Sequence, residues 1–308
     1  MPYYLGIDGG GTKTTCAVGD EIRLLARATA GPSNVVRVGE QQARQSLTHA
    51  VRQACAASGI TPQQVVRTCV GGAGAARPEM AAIARSILAE ILPSPIDIVG
   101  DMETSLEAAF DDGPGVIVIA GTGSIAYGRD NTGKTIRAGG WGFEIGDEGS
   151  AHWIGRTAIN ALLRASDLHG DGVIASALAQ SLFKTWGVRS LLDLARAANS
   201  VPAPDFAALF PAIAASHDDL AHQVLGRAGR ELAELAAIVL RRLFAEDNTS
   251  PVPVAMIGGV FRHAPLVREA FYNELANAAP NARVRLEVVD PVEGALRMAR
   301  KAAGAGIP

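Results

Sequence analysis

The stretch GIDGGGTKTT, residues 6–15, joins an apolar segment to three consecutive glycines. The apolar segment ends at Asp8, the glycines occupy 9–11, and threonines follow them. Glycines in series at the end of a buried strand indicate that the backbone comes very close to another group, and successive backbone N–H groups in such a turn can hold an anion. Residues 3–8 and 14–18 have strand patterns, which predicts a strand, a tight turn and a second strand.

The same design recurs in GVIVIAGTGSIAYGRD, residues 115–130. The apolar run 116–120 meets Gly-Thr-Gly-Ser at 121–124, and strand character resumes at 125–127. We call residues 9–12 the first glycine turn and residues 121–124 the second glycine turn. Two such units, about a hundred residues apart, predict an internally duplicated protein with one phosphate-facing hairpin in each half.

Strand and helix patterns alternate along the rest of the chain. Apolar residues have helical spacing in 39–58 and 78–91, whereas VVRTCVGGAG reads as a strand leading to a glycine loop and PIDIVGD as a further strand. Helices dominate after residue 150, until VPVAMIGGVF and ARVRLEVV return to strand character before a last helix in PVEGALRMARKA. This alternation predicts an α/β protein with mostly parallel sheets covered by helices.

Two familiar phosphate-binding motifs come close to the first glycine turn and fail. Gly6 and Gly11 have the spacing of a P-loop, but Thr12 and Lys13 stand where Lys and then Ser or Thr is required, and a strand follows instead of a helix. The dinucleotide fingerprint fails because no third glycine opens a helix. A backbone anion nest with hydroxyls from Thr12 or Thr14 remains, and a plain glycine-rich hairpin is the alternative. The second glycine turn favours the nest.

Composition restricts the classes of partner. The 308 residues predict two domains of roughly 100 to 200 residues each. A formal net charge of −3 gives no electrostatic footprint for nucleic acid or an anionic membrane, so we expect small-molecule partners.

Cys16, Cys55 and Cys69 are far apart and suggest neither disulfides nor a metal cluster. Neither a secretory leader pattern nor an apolar run of ~20 residues is present, so the cytoplasm is the expected location.

Carboxylates follow the predicted strands. Asp8 ends the first strand, Asp101 ends PIDIVG, and Asp147 lies in GGWGFEIGDEGS. Because the carboxyl ends of parallel strands face one crevice, Asp8 and Asp101 should point to the same region. Such a pair suits phosphoryl transfer, with one acid holding hydrated Mg²⁺ near the phosphates and the other accepting the proton of an attacking hydroxyl. Asp101 as the N-cap of a helix in METSLEAAF is an equally open interpretation.

Taken together, GIDGGGTKT, Asp101, IAGTGSIAYG, GGWGFEIGDEGSAHWIG and the late MIGGVF resemble the N-acetylglucosamine kinases and glucosamine kinases. These are grouped with the BadF/BadG/BcrA/BcrD ATPases in the actin-like sugar kinase and heat-shock chaperone superfamily. The resemblance implies two duplicated actin-like (ribonuclease H-like) domains, with mixed sheets flanked by helices and with ATP and sugar in the cleft between them. The domains would be 1–110 and a larger 111–308, with the terminal helix at about 291–305 as a candidate to pack back onto the first.

The resemblance also implies roles for individual residues. Asp101 matches the catalytic base that draws the proton from the sugar 6-hydroxyl, and Asp8 matches a residue near Mg²⁺, acting through water. Asn34, Gly140 and Asp147 match sugar ligands, besides Asp101. The residues expected at ATP lie in the two glycine turns and a late loop: Gly9, Gly10, Gly11, Thr12, Gly121, Thr122, Gly123, Ser124, Gly258 and Gly259.

Some residues in these motifs have simpler interpretations. Asn34 follows Pro and Ser and could be a turn residue that tolerates positive φ. Trp141 is expected to pack under the glycine-rich loop rather than to contact a ligand. Lys13 is interpreted as a solvated strand lysine, and His152 has no partner at useful spacing and is assigned no role.

The predicted function is ATP-dependent phosphorylation of the 6-hydroxyl of N-acetylglucosamine, or of glucosamine. One alternative is a BadF-type ATPase that activates another enzyme, although such activators hold an iron–sulfur cluster through cysteines, and none here lies in a cluster-like loop. A non-enzymatic sensor of sugar or nucleotide is the other alternative. Related kinases are often homodimers, so a homodimer is expected, with the apolar helix at 229–244 as a candidate for the interface or the core.

Overall fold

The computed structural model describes residues 1–72, 77–245 and 250–304, and Asp171 by its backbone alone. The chain divides into two compact units, Met1–Gly113 with Val289–Pro308 and Pro114–Val288. Each unit holds one five-stranded sheet.

The elements follow the predicted alternation closely. The strands are β1 (Tyr3–Gly9), β2 (Thr14–Gly19), β3 (Leu24–Ala30), β4 (Val65–Gly72), β5 (Ile96–Gly100), β6 (Gly115–Ala120), β7 (Ser124–Arg129), β8 (Thr135–Gly139), β9 (Val252–Ile257) and β10 (Ala282–Val289). The helices are α1 (Val35–Ala57), α2 (Pro78–Ala89), α3 (Asp101–Phe110), α4 (Ala151–His169), α5 (Ala177–Trp186), α6 (Leu191–Ala198), α7 (Phe210–Ala214), α8 (Asp219–Leu243), α9 (Gly259–His263), α10 (Pro265–Ala278) and α11 (Pro291–Ala302).

The first sheet has the strand order β3-β2-β1-β4-β5. β2 is antiparallel to both β1 and β3, whereas β4 is parallel to both β1 and β5. The prediction of mostly parallel sheets is therefore wrong. A short turn such as the first glycine turn can only join antiparallel strands, because parallel strands need a long crossover. β3 was also missed, since half of its side chains are exposed and its sequence, LLARATA, carries no sustained alternation.

The second sheet repeats this plan with the order β10-β9-β6-β7-β8. The first, second and third strands of the unit are again antiparallel neighbours, and β9 is parallel to β6. In both units the first strand is central, the hairpin lies on one side of it and the crossover strands on the other. The predicted duplication of an α/β unit with mixed sheets is confirmed, although β8 was not predicted.

The last helix belongs with the first sheet. α11 packs against β1, β4 and α3. Six buried residues from α11 and this sheet form one apolar cluster: Tyr4, Ala17, Cys69, Val292, Leu296 and Ala299. A Cβ on Gly6 of β1 would overlap the backbone of Leu296, and a Cβ on Gly294 of α11 would overlap the backbone of Thr104 in α3. Glycine at these two positions lets α11 approach both elements.

Helix starts follow their caps. Asn34, Ser150, Asp218 and Asp290 each accept a hydrogen bond from a backbone N–H of the first turn of α1, α4, α8 and α11, respectively. The helix predicted at 39–58 begins earlier, because α1 includes a first turn that Gly39 separates from the rest by a kink. The glycine loop predicted at 73–74 and position 305 of the predicted last helix lie outside the described residues.

Within the described ranges, no helix has both the length and the apolar character that crossing a bilayer requires.

The close contact between α11 and α3 leads to a stability prediction. Gly294→Ala should lower the free energy of unfolding by about 1 to 3 kcal/mol, because the added methyl overlaps the backbone of Thr104 and the helices must separate. Gly226→Ala is the matched change in α8. A Cβ there would have an ordinary contact at 3.7 Å, so the methyl fits. Because alanine is more favourable than glycine inside a helix, the free energy of unfolding of this variant should rise by about 0.5 to 1 kcal/mol. Urea unfolding of both variants measures the difference, and equal effects would contradict the prediction.

Candidate active site

The register of the first sheet brings three strand ends level with one another. Gly9 of β1 pairs with Gly72 of β4, which pairs with Gly100 of β5. Asp8 lies immediately before the first of these glycines and Asp101 immediately after the last. Parallel strands present their carboxyl ends at one edge, so both carboxylates belong to that edge of the sheet.

The surroundings of Asp8 disfavour the ionised form of its side chain. Burial, and after it the negative charges of Asp101 and Asp290, raise the pKa of Asp8 to about 7, and Lys13 partly opposes them. A carboxyl that loses solvent and faces like charges pays for ionisation unless a cation or another donor approaches. This edge of the sheet therefore favours a bound cation.

Asp101 begins α3. Gly100 occupies the N-cap position, so the interpretation of Asp101 as the cap is wrong. The carboxylate accepts hydrogen bonds from its own N–H and from that of Met102, which lowers its pKa, yet burial and the charge of Glu103 raise it overall. The first residue of α3 is thus a half-buried carboxylate with an elevated pKa, which is the property expected of a general base.

The first glycine turn is a hairpin with a two-residue loop. Gly10 N–H donates to Lys13 O at 3.0 Å, so Gly11 and Thr12 form the loop between them. The carbonyl of Gly10 accepts from the N–H groups of Ser33 and Asn34 at 3.1 and 3.3 Å. The amide of Gly10 is therefore used within the turn itself.

Thr14 does not belong to the nest. Its side chain is buried, and its hydroxyl lies 2.8 Å from the carbonyl of Gly31 and 2.7 Å from Ser33 Oγ. The same Ser33 Oγ would lie 2.9 Å from a Cβ on Gly9, so glycine at this position serves the packing of the turn. Of the two threonines proposed beside an anion, only the exposed Thr12 stays a candidate.

Asn34 is a helix cap. Its φ of −68° is ordinary, so the interpretation as a positive-φ turn residue is wrong. Its Oδ1 accepts from Val36 N–H at 3.1 Å. The cap uses the amide oxygen only, and the amide nitrogen carries two donors suited to hydroxyl oxygens. Asn34 also lines a small cavity together with Gly9, Ser33 and Gly72.

Asp147 links the second glycine turn to the loop at 140–149. It is buried, with φ of 60°, and its carboxylate accepts hydrogen bonds from the N–H groups of Ser124 and Gly142. Burial raises its pKa, and these two bonds oppose the shift. A carboxylate has about four acceptor sites, so two amides leave capacity for a ligand hydroxyl. A Cβ on Gly123 would come within 2.6 Å of Asp147 Oδ2.

The second glycine turn is tied to α4 as well. Ala151 N–H donates to Gly121 O at 2.9 Å and His152 N–H to Thr122 O at 3.4 Å. Gly121 N–H donates to Gly123 O, and the hydroxyl of Ser124 donates to Glu148 O at 2.7 Å. The amides of Gly121 and Ser124 are therefore used within the protein.

The remaining predicted glycines differ in what requires them. Gly258 has φ of 103°, and a Cβ there would overlap the carbonyl of Ala120, so the fold itself requires this glycine. Gly140 has φ of 69°, and a Cβ there would overlap the side chain of Ile125. By contrast, a Cβ on Gly121 would meet nothing within 4 Å, and one on Gly259 only the edge of a histidine at 4.0 Å. Internal packing does not explain these two glycines.

Trp141 is 68% exposed, so the interpretation as a packing residue is wrong. The guanidinium of Arg137 lies 4.4 Å from the centroid of its ring, and Arg137 also donates to Gly140 O at 3.3 Å. Trp141 lies between two glycines with positive φ, Gly140 and Gly142.

Asp290 was missed by sequence analysis. It caps α11, pairs with Arg27 at 2.8 Å, and its charge raises the pKa of Asp8. An Asp before Pro at a helix start is a readable capping signal. Its position beside β1 was not readable, because it depends on the return of α11 to the first sheet.

One acidic group in the described part of the chain has metal-like spacing: Glu107, Asp111 and Asp112. Lys301 already forms ion pairs with all three, at 3.0 Å to Glu107, at 2.9 Å to Asp112 and more closely to Asp111. This group therefore ties α11 to the end of α3.

Two duplicated units with mixed sheets, each carrying a glycine hairpin after its first strand, define an actin-like sugar kinase fold. The chain belongs to the BadF/BadG/BcrA/BcrD ATPase family, which matches residues 5–299. The predicted family resemblance is thereby confirmed.

Two named enzymes and one solved structure are similar to the chain along nearly its whole length. The chain is 29% identical to an N-acetylmuramic acid/N-acetylglucosamine kinase from Clostridium acetobutylicum, over 97% of this chain and 99% of that protein. It is 28% identical to an N-acetyl-D-glucosamine kinase from Dictyostelium discoideum, over 96% and 97% of the two chains. The solved structure of a proposed N-acetylglucosamine kinase from Chromobacterium violaceum superposes with a TM-score of 0.73 at 27% identity, covering 97% of this chain and 99% of that one.

The elevated pKa of Asp8 predicts how stability depends on pH. The folded-state pKa of about 7 lies above the ordinary 3.8, so the contribution of Asp8 to stability is complete below pH ~4 and is lost as pH rises through 7. Asp8→Asn cannot ionise and should escape this loss. In chelator-containing buffer, the free energy of unfolding of the variant should rise relative to that of the wild type by up to about 1.4 kcal/mol for each pH unit between pH 4 and 7.

Urea unfolding of both proteins across this pH range measures the gap. Gly226→Ala, which changes no ionisable group, is the control and should follow the wild-type profile. A constant gap between wild type and Asp8→Asn would contradict the raised pKa.

Proposed function

We propose that the chain is an ATP-dependent kinase that phosphorylates the 6-hydroxyl of an amino sugar, with N-acetylglucosamine as the favoured substrate and glucosamine as the next. The observation that carries this proposal is similarity along nearly the whole chain to two enzymes named as N-acetylglucosamine kinases. Both cover more than nine tenths of the chain, so the site residues of both units fall within the matched region.

Asp101 is proposed as the general base. Its half-buried carboxylate at the start of α3 would take the proton of the 6-hydroxyl as that oxygen attacks the γ-phosphorus of ATP. Burial and the charge of Glu103 raise its pKa, while two backbone amides donate hydrogen bonds to the carboxylate. A base of this kind typically contributes ~10² to 10⁴ in rate.

Magnesium fits the edge of the first sheet. Asp8 is half-buried, the negative charges of Asp101 and Asp290 raise its pKa, and carboxylate oxygen is the ligand that Mg²⁺ prefers. Asp8 would hold the ion through water, and the bound ion would neutralise charge on the ATP phosphates. Without it, Lys13 is the cation that lowers the pKa of Asp8.

The proposed phosphate contacts are backbone amides. Gly11 in the first glycine turn and Gly123 in the second are proposed to present their amides to phosphate, with Thr12 and Thr122 beside them in the same turns. Gly259 is proposed to lie against the adenosine, because it is exposed and has room for a close approach.

The proposed sugar contacts are Asn34, Gly140, Asp147 and Asp101. Asn34 would donate from its amide nitrogen, since its oxygen caps α1. Asp147 would accept a sugar hydroxyl with the capacity that its two amide bonds leave. Gly140 would contribute backbone.

The proposal is tested by measuring ADP release with a panel of sugars, with and without Mg²⁺. The sugars are N-acetylglucosamine, glucosamine, N-acetylmuramate, N-acetylmannosamine and glucose. We expect sugar-stimulated turnover that requires Mg²⁺ and is highest with N-acetylglucosamine. ATP hydrolysis that no sugar stimulates would favour an activator ATPase, and binding without turnover would favour a sensor.

Asp101→Asn separates catalysis from folding. Asn retains the shape of the side chain but cannot take a proton at neutral pH, so kcat should fall ~10² to 10⁴ while the melting temperature changes little. Asp219→Asn is the matched control, because Asp219 is likewise the first residue of its helix, α8, and is exposed. Normal turnover by Asp101→Asn would exclude Asp101 as the base.

Gly121→Ala tests the second glycine turn without disturbing the fold. The added methyl meets no protein atom within 4 Å, so the variant should fold normally and bind ATP at least ~10-fold more weakly, about 1.4 kcal/mol. Gly172→Ala, which also adds a methyl in open space, is the control and should bind ATP like the wild type. Calorimetry measures both affinities, and unchanged ATP affinity in Gly121→Ala would remove this turn from the nucleotide site.

Homodimer assembly and a cytoplasmic location are also part of the proposal and rest on the family resemblance. Light scattering after size exclusion tests the first, and a single-chain mass would exclude it. Cell fractionation tests the second.

A further inference from the structure

His152 is the second residue of α4, and nothing in the proposed reaction uses it. Its side chain is 8% exposed, although it lies only a few residues from the exposed tip of the 140–149 loop. Its environment shows what holds that loop in place.

The ring of His152 lies between two phenylalanine rings. Its centroid is 4.8 Å from that of Phe143 and 5.1 Å from that of Phe206. Phe206 is buried, and its ring lies edge-on to that of Trp186 at 5.3 Å. Aromatic pairs at these separations and tilts are attractive beyond the area they bury. The four rings therefore form a continuous stack from the loop into the core.

Phe143 is the member of this stack that belongs to the loop. Two other large apolar side chains of the loop, Trp141 and Ile145, are 68% and 83% exposed. The loop also bears the two residues proposed to contact the sugar, Gly140 at its start and Asp147 near its end. An aromatic contact at Phe143 thus restrains the segment between them.

The backbone of His152 faces the nucleotide side. Its N–H donates to Thr122 O in the second glycine turn, next to the bond from Ala151 to Gly121. One residue therefore touches both the turn proposed for phosphate and, through its ring, the loop proposed for sugar.

We propose that His152 is a positioning residue that holds the 140–149 loop in its sugar-binding conformation by stacking between Phe143 and Phe206. This inference rests on the proposed function of the same site. The proposed role depends on the shape of the ring and its aromatic contacts, which phenylalanine retains. The backbone bond to Thr122 survives any substitution, so ATP binding should change little.

The kinetic test compares His152→Ala, His152→Phe and Phe143→Leu. His152→Ala and Phe143→Leu should each raise the sugar KM ~10-fold or more, with the ATP KM within ~2-fold and kcat within ~3-fold, because the loop loses its anchor while the base stays in place. His152→Phe should keep a sugar KM close to wild type. His169→Ala, at the exposed end of α4, is the control for a histidine lost from the same helix.

Two outcomes would overturn the inference. An unchanged sugar KM in both His152→Ala and Phe143→Leu would show that the stack does not position the loop. A defect in His152→Phe as large as that in His152→Ala would assign the histidine a chemical role instead. Phe143 is half exposed, so its variant should fold even where His152→Ala does not.

Amide hydrogen exchange without substrates separates this inference from the proposed function. The amides of residues 142–146 should exchange faster in His152→Ala and Phe143→Leu than in the wild type and His152→Phe. If the wild type shows no sugar-stimulated turnover, the kinase proposal fails, and exchange still decides whether the stack holds the loop. Equal exchange in all four proteins would overturn the positioning role.

Discussion

The parallel, in-register pairing of β1, β4 and β5 is the constraint on which the candidate site depends. It sets Gly9, Gly72 and Gly100 level, and it forces the carboxylates of Asp8 and Asp101 toward one edge with little solvent. Burying like charges together is unfavourable, so the rest of the fold must stabilise an arrangement that isolated residues would avoid. Glycine at 9 and at 100 leaves room at that edge for the side chains of Ser33 and Glu103.

The two units share a topology, but the aspartates of their candidate sites have different surroundings. In the first unit, Asp8 faces other carboxylates, and its pKa rises to about 7. In the second unit, the buried Asp147 receives two backbone N–H bonds and connects two loops. The duplication therefore preserved the path of the chain, while the chemistry of each copy diverged. One copy holds unsatisfied negative charge, and the other uses a carboxylate as a structural link.

Local patterns predicted most of the elements and the strand-end position of the acids. Apolar runs ending in glycine identified β1 and β6 and their hairpins, and helical spacing identified α2, α4 and α8. Properties that depend on distant parts of the chain were not predictable. β3 is an edge strand of partly exposed residues, and Asp290 reaches the first sheet only through α11. The exposure of Trp141 likewise has no signal in the residues around it. The cap of α3 was misassigned by one residue, because Gly100 and Asp101 are both plausible helix starts.

The return of α11 to the first sheet has a consequence for biosynthesis. The second unit is one uninterrupted segment, so it can fold as soon as Val288 has left the ribosome. The first unit begins to be synthesised earlier but lacks the helix that covers Tyr4, Ala17 and Cys69 until Pro291–Ala302 has emerged. The apolar face of the first sheet therefore stays uncovered until α11 has been synthesised. The second unit can finish folding before the first, which reverses the usual order in which amino-terminal parts fold first.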